Sequence, residues 1–276
     1  MTGRVPLGQV VRGLAAVLVL LLAACGTPGE GVSLPPTHGV LDYQLGGAYT
    51  PPGGLDVVVR DATAEPADGA YSVCYVNGFQ TQPGDDRWLD HEDLLLHDGD
   101  GKLVVDPAWP DEHVLDPSTA ERRERILALV GPVVTGCADA GFDAVELDNL
   151  DTWTRFDDPS TGVVDAAGAR ALAAAYVALA HDAGLAVGQK NAAEVAATAR
   201  DELGFDFAIA EECVAYDECD AYTAAYGEHV LVVEYPDTLG VPFEEACADP
   251  GTPPLTILRD RALVTPDDPG YVYEHC

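Results

Sequence analysis

The sequence predicts an α/β chain folded as a single-domain (β/α)8 barrel, the TIM-barrel architecture. Two observations carry this. Eight short apolar runs recur along the chain, and most are near-continuous, as strands covered on both faces require. Helical patterns fall between several of them, and strand–helix alternation within one domain gives a parallel sheet. The alternative, an open doubly wound sheet, is weakened because no glycine-rich phosphate loop follows the first strands.

The first 24 residues read as a targeting segment. Arg4 and Arg12 supply a positive region, and residues 14–24 form an apolar run too short for a membrane-spanning helix. That run ends in Leu22-Ala23-Ala24-Cys25, the pattern of a bacterial lipobox, so cleavage before Cys25 and lipidation of its sulfur are expected. An ordinary secretory signal is the alternative; in both cases the mature chain is exported. Residues 25–39, rich in glycine, proline and small residues, read as a flexible tether. Residues 40–276 then form one domain with an ample core.

The strand candidates are residues 41–45 (the weakest), 55–59, 71–76, 143–148, 185–189, 205–211, 230–235 and 255–258. Ser118 with Glu121 makes a capping box ahead of the helical pattern at residues 126–134. Asp165 caps the alanine-rich run 166–183, which Gly184 stops, and residues 192–203 read as a further helix ended by Gly204. The polar stretch 79–116, between strands three and four, reads as a large loop over the C-terminal mouth. Its Trp88 and Trp109 suit either stacking on sugar rings or packing the loop down.

Composition sets further bounds. Six cysteines follow Cys25, an even number that favours disulfides in an exported chain. Cys213 and Cys219 are close enough to staple one loop; a zinc site is the rival, without CxxC or paired-histidine spacing to support it. The formal net charge is −33. Phosphate-rich nucleic acid is thereby excluded as a partner, whereas a cationic ligand would be concentrated at the surface. A general acidic surface that keeps the chain soluble explains the charge equally well.

The most informative stretch is GFDAVELDNLDTW, residues 141–153. Strand side chains alternate, so Val145 and Leu147 face one way while Glu146 and Asp148 face the other. Asn149 and Asp151 follow at once. Lone acids at a strand end are often only turn formers, but here four acidic or amide groups fall within six residues. The other strands also end in polar groups: Tyr75 and Asn77, then Gln189, Lys190 and Asn191, then Glu211 and Glu212, then Glu234 and Tyr235. In a parallel barrel these ends share one rim and converge. Two carboxylates across such a pocket can divide acid and base work, which is the equipment of glycoside hydrolysis. Lys190 could keep a neighbouring carboxylate ionised, or could serve only in a buried ion pair that orders the rim.

The segments YSVCYVNGF, GFDAVELDNLDTW, LAVGQKNAAE, FDFAIAEECVAYDECDAY and HVLVVEYPD occur in an order and spacing that resembles glycoside hydrolase family 114, over residues 41–276. The resemblance implies a (β/α)8 glycosidase acting as an endo-α-1,4-polygalactosaminidase without metal or other cofactor. It places Asp148 and Glu211 at the catalytic carboxylate positions, Asp148 as nucleophile or stabiliser and Glu211 as acid/base. Asn149, Asp151, Lys190, Asn191, Glu234 and Tyr235 fall at pocket-lining positions, with Tyr75 and Asn77 added as substrate-binding candidates. Glu212 falls where the family varies. The chain departs from the family at residues 77–86, where NGFQTQPGDD replaces a Gly-Glu-Arg-Pro-rich segment. Ala144 and Gln189 are further departures.

The expected protein is an exported, lipid-anchored, monomeric glycosidase acting on a polysaccharide, touching the membrane only through its lipid. Two alternatives are a carbohydrate-binding barrel without catalysis, against which the retention of Asp148 and Glu211 argues, and a structural Ca2+ site at Asp148, Asn149 and Asp151.

Overall fold

In the computed structural model the described residues are 1–3, 31–88 and 90–276. Cys25 and most of the targeting segment lie outside them. Eight parallel strands follow one another around a barrel: β1 (Leu41–Gln44), β2 (Val57–Asp61), β3 (Tyr71–Asn77), β4 (Ala144–Asp148), β5 (Ala186–Lys190), β6 (Phe207–Glu211), β7 (Val230–Glu234) and β8 (Leu255–Arg259). Each pairs with its successor, and a short β9 (Tyr273–His275) runs antiparallel on the outer edge of β8. All eight expected strands are present, because their valine-, isoleucine- and alanine-rich runs suit burial on both faces.

The period of two divides the core into two layers. Leu41, Tyr43, Val57, Val59, Val73, Tyr75, Ala144, Phe207, Ile209, Leu231, Val233 and Ile257 fill the barrel. Their alternating neighbours pack outward against the helices, in the larger cluster that holds Val145, Leu147, Leu172 and Tyr176. Gly188 pairs with Phe207 on the adjacent strand; a Cβ there would meet Ile209 Cδ1 at 2.5 Å and the Phe207 ring at 2.8 Å, so the missing side chain makes room for both.

β1 and β8 meet without a shared hydrogen-bond ladder among the described residues. Side chains close this seam. The Arg259 guanidinium, fully buried, pairs with the fully buried Asp42 carboxylate at 2.6 Å and donates to the Tyr43 carbonyl oxygen. The Tyr273 hydroxyl on β9 donates to the Leu41 carbonyl at 2.7 Å.

The outer helices include α1 (Ala120–Ala140), α2 (Ala166–Asp182), α3 (Cys219–Tyr226) and α4 (Phe243–Ala248). Asp165 caps α2 as expected, accepting from Gly168 N at 2.6 Å. At α1 the expectation is corrected by one residue: Thr119, not Ser118, is the N-cap, accepting from Arg122 N at 3.2 Å. Thr119 carries the extended backbone a cap needs, with φ −115° and ψ 155°. The helix expected over 192–203 is broken into a 3-10 turn, one α turn and a π turn. The chain leaves β5 through left-handed Asn191 and Ala192, and only a short irregular connection follows.

Three disulfides form. Cys74–Cys137 ties β3 to α1, Cys213–Cys219 staples the loop after β6 as expected, and Cys247–Cys276 ties α4 to the C-terminus. Part of the expected tether is fastened to the barrel: Ser33 O accepts from Tyr71 OH at 2.6 Å, and Pro35 O is 3.0 Å from the His229 ring. Tyr71 and His229 mark the N-terminal ends of β3 and β7, on the face opposite the mouth. Among the described residues no helix is long and apolar enough to cross a membrane.

Candidate active site

β4, β5 and β6 each end abruptly. The residues that follow their last positions, Asn149, Asn191 and Glu212, have φ of 62°, 48° and 62°. That left-handed turn swings the chain sideways, so Asp148, Lys190 and Glu211 stand as the final inward side chains of their strands. Asparagine tolerates the conformation. Glu212 does so less readily and is held in place, its carboxylate accepting from Arg261 Nη2 at 2.7 Å and from Thr238 Oγ1.

Lys190 stands at the centre of the mouth. Its Nζ lies 2.9 Å from Glu146 Oε1, 3.6 Å from Asp148 Oδ1, 3.5 Å from Glu211 Oε2 and 2.9 Å from Tyr43 OH. Burial alone would lower the lysine pKa, but Asp148, Glu146 and Glu211 outweigh it and hold it well above the ordinary value. A tyrosine serves each of the three carboxylates. Tyr43 OH donates to Glu146 Oε1 at 2.7 Å, Tyr75 OH to Asp148 Oδ2 at 2.7 Å, and Tyr235 OH to Glu211. Burial and the facing carboxylates push all three phenols up, so they remain protonated donors.

Two acids are accessible and one is not. Asp148 and Glu211 keep 19% and 26% of their side-chain surface, while Glu146, one layer below, has none. Burial, partly offset by Lys190, pushes Glu146 up to about 7. Above this layer lies a cavity of about 310 Å3, lined among others by Asp61, Trp109, Glu112, Asp148, Glu211 and Arg261. Such a volume and polarity suit a sugar-sized ligand.

A glycoside-hydrolase family GH114 pattern matches residues 24–276. The chain belongs to glycoside-hydrolase family GH114, and is therefore a glycosidase. Among solved structures it is similar to Aspergillus fumigatus Ega3 in a complex with galactosamine, at 20% identity over 91% of this chain and 100% of that one, with a TM-score of 0.71. It is also similar to the glycoside hydrolase domain of PelA from Pseudomonas aeruginosa, at 17% identity over 84% of this chain and 97% of that one, with a TM-score of 0.59. These likenesses establish the barrel fold. Comparison with curated protein sequences yields no match.

In this GH114 chain the residues expected at the pocket separate into groups. Tyr75, Asp148, Asn149, Lys190, Glu211 and Tyr235 line the cavity together. Asn191 stands behind Glu211 and orients it, donating to Oε2 at 3.3 Å and accepting from Glu211 N at 2.8 Å. Asn77 holds the side walls, donating to Glu112 Oε2 at 2.9 Å and accepting from Asn149 Nδ2 at 3.1 Å. Asp151 pairs with Arg155 Nε at 2.9 Å and Asn149 Oδ1 accepts from Arg155 Nη2 at 2.9 Å, so one guanidinium engages two of the trio considered for calcium while Asp148 accepts from Tyr75. Glu234 is placed elsewhere. It is fully buried on the outward face of β7, accepting from Val214 N at 2.8 Å and Ala215 N at 3.4 Å to pin the loop after β6. Tyr235 takes the inward position beside it.

Sequence reasoning missed Tyr43, Glu112 and Arg261. Arg261 lies 4.5 Å over the Tyr235 ring and bridges Glu212 to Asp237. Glu112, from the long loop, is pushed up to about 7 chiefly by burial, with Asp148 adding to the effect and Asn77 opposing it. The two tryptophans divide: Trp109 is 59% exposed at the cavity rim, whereas Trp88 is buried.

Proposed function

We propose that this GH114 glycosidase cleaves a polysaccharide containing α-1,4-linked galactosamine, with Asp148 as nucleophile and Glu211 as acid/base. The observation that supports this best is that Asp148 and Glu211, alone accessible in the carboxylate cluster, bracket one buried cation in the same cavity. Both facing oxygens lie within 3.6 Å of Lys190 Nζ, so they are at most twice that far apart. That bound admits the roughly 5–5.5 Å of retaining pairs and excludes only the upper part of the inverting range of about 6.5–9.5 Å; the mechanism proposed is retention, through a covalent glycosyl-enzyme that water then hydrolyses. Glu211 protonates the leaving oxygen and then activates water. Lys190 Nζ lies 3.6 Å from Asp148 Oδ1 and Tyr75 OH donates to Oδ2, which fixes the carboxylate for attack.

An amino-sugar polymer with free ammonium groups suits a chain of net charge −33. The galactosamine carried by the Ega3 structure is consistent with that substrate. Export is part of the proposal. Three disulfides suit an oxidising compartment. A tether, residues 25–39, runs from a lipidated Cys25 to the barrel of residues 40–276, and Ser33 and Pro35 lie on the face opposite the mouth. The cavity of a monomer so anchored faces away from the membrane.

The test is product release from the domain without its targeting segment, followed by mass analysis. De-N-acetylated galactosaminogalactan yields oligosaccharides, the fully acetylated polymer yields fewer, and Asp148→Asn and Glu211→Gln yield none while melting like the parent. Full turnover by either variant overturns the assignment of roles.

A further inference from the structure

A second cavity, of about 250 Å3, adjoins the catalytic one and shares Asp61, Tyr75 and Gln82 with it. Its outer walls are Gln80, Asp85, Trp88 and residues of α1. Gln80, Gln82 and Asp85 lie in residues 77–86, where the sequence departs from the family pattern, so this compartment belongs to this chain's own loop.

Two of its groups lack the partners their chemistry calls for. Gln80 is 1% exposed; its Nε2 donates to Asp106 Oδ2 at 2.8 Å, but its Oε1 is buried without a hydrogen-bond partner. A buried acceptor left unmade is costly, so a donor from a ligand or water belongs there. Asp61 stands where the cavities join. It is held by Thr63 N at 2.9 Å, Thr63 Oγ1 at 2.6 Å and a long contact to Gln82 Nε2 at 3.5 Å, with no cation bound to it among the described residues. The other carboxylate, Asp85, is already paired with Arg87 at 2.5 Å. The buried Trp88 contributes an apolar wall.

We propose that this compartment binds the neighbouring sugar of the polymer, with the Asp61 carboxylate receiving an ammonium at the junction and Gln80 Oε1 receiving a hydroxyl or ammonium beyond it. The inference rests on the amino-polysaccharide reading above. It makes residues 77–88 the part of the chain that selects for long cationic substrates.

Ala62 lines the second cavity and not the first, so Ala62→Phe fills it while leaving the catalytic cavity free. On long galactosamine chains kcat/KM falls roughly tenfold to a hundredfold, the range for a lost hydrogen bond to a charged group. Rates on the shortest cleavable oligosaccharide stay at the parent value. In the Asp148→Asn background, Gln80→Leu, which keeps the side-chain volume, weakens binding of a long galactosamine oligosaccharide in calorimetry by a similar factor. Parent-like ratios of long to short substrate in Ala62→Phe, together with parent-like binding in Gln80→Leu, overturn the compartment and leave the function standing. An Asp148→Asn protein that binds no galactosamine oligosaccharide overturns both.

Discussion

Replacing Lys190 with methionine separates the roles of the three carboxylates by pH. Glu146 has no exposed surface, sits 2.9 Å from Lys190 Nζ, and has one oxygen, Oε2, without any partner. Removing one member of a buried ion pair costs about 3–5 kcal/mol when the other stays charged. At about 2–4 °C per kcal/mol for a domain of this size, the melting temperature drops by about 6–20 °C. Protonation lets Glu146 escape that cost. Its folded-state pKa is raised from 4.5 to about 7, so between those values the folded state binds the extra proton and stability from this group falls as pH rises. Without Lys190 the proton is held to higher pH still. Lys190→Met therefore melts close to the parent at pH 5 and far below it at pH 8. Adding Glu146→Gln recovers the pH 8 loss. Activity does not recover, because Asp148 Oδ1 and Glu211 Oε2, at 3.6 and 3.5 Å from Lys190 Nζ, lose the cation they share. Calorimetric melts at the two pH values, beside activity assays of the single and double variants, decide the matter. Equal destabilisation at pH 5 and pH 8, or a double variant no more stable than the single one, refutes the reasoning.

Two further outcomes follow from the geometry. Arg259→Met leaves Asp42 charged and buried at the β1–β8 seam, so urea unfolding shows a loss of about 3–5 kcal/mol, and Asp42→Asn in the same chain restores part of it. Trp109→Ala removes an aromatic face at the cavity rim where burial is slight, so KM for the polymer rises roughly tenfold while the melting temperature moves by less than about 2 °C.

The strands were legible because each is a buried apolar run, and the carboxylates that reach the cavity, Asp148 and Glu211, because they close such runs. Legibility failed where a residue's role depends on partners remote in sequence. Tyr43 meets Glu146 across 103 positions, and the value of Arg261 comes from Glu212 and Tyr235, just past the ends of β6 and β7. Glu234 is a different case, because the signal was available. Alternation puts Glu146 and Asp148 on one face of β4; the same rule puts Leu231, Val233 and Tyr235 inward on β7 and turns Glu234 outward.

Alternation also explains the buried ion pair. A strand that presents Asp148 at the mouth must carry residue 146 directly beneath it, on the same inward face. With glutamate there, two carboxylates stack along one strand, and Asp148 adds to the upward push that burial gives Glu146. A cation lies between the layers, and the inward position that reaches this space from β5 is Lys190. Its ammonium touches Glu146 below and Asp148 and Glu211 above, while Tyr43 and Tyr75 lie under and beside it with ring centroids at 5.2 and 5.8 Å. The pair thus sets a cation beneath the acids at the mouth, which an apolar layer of equal volume could not supply even where it made the barrel more stable.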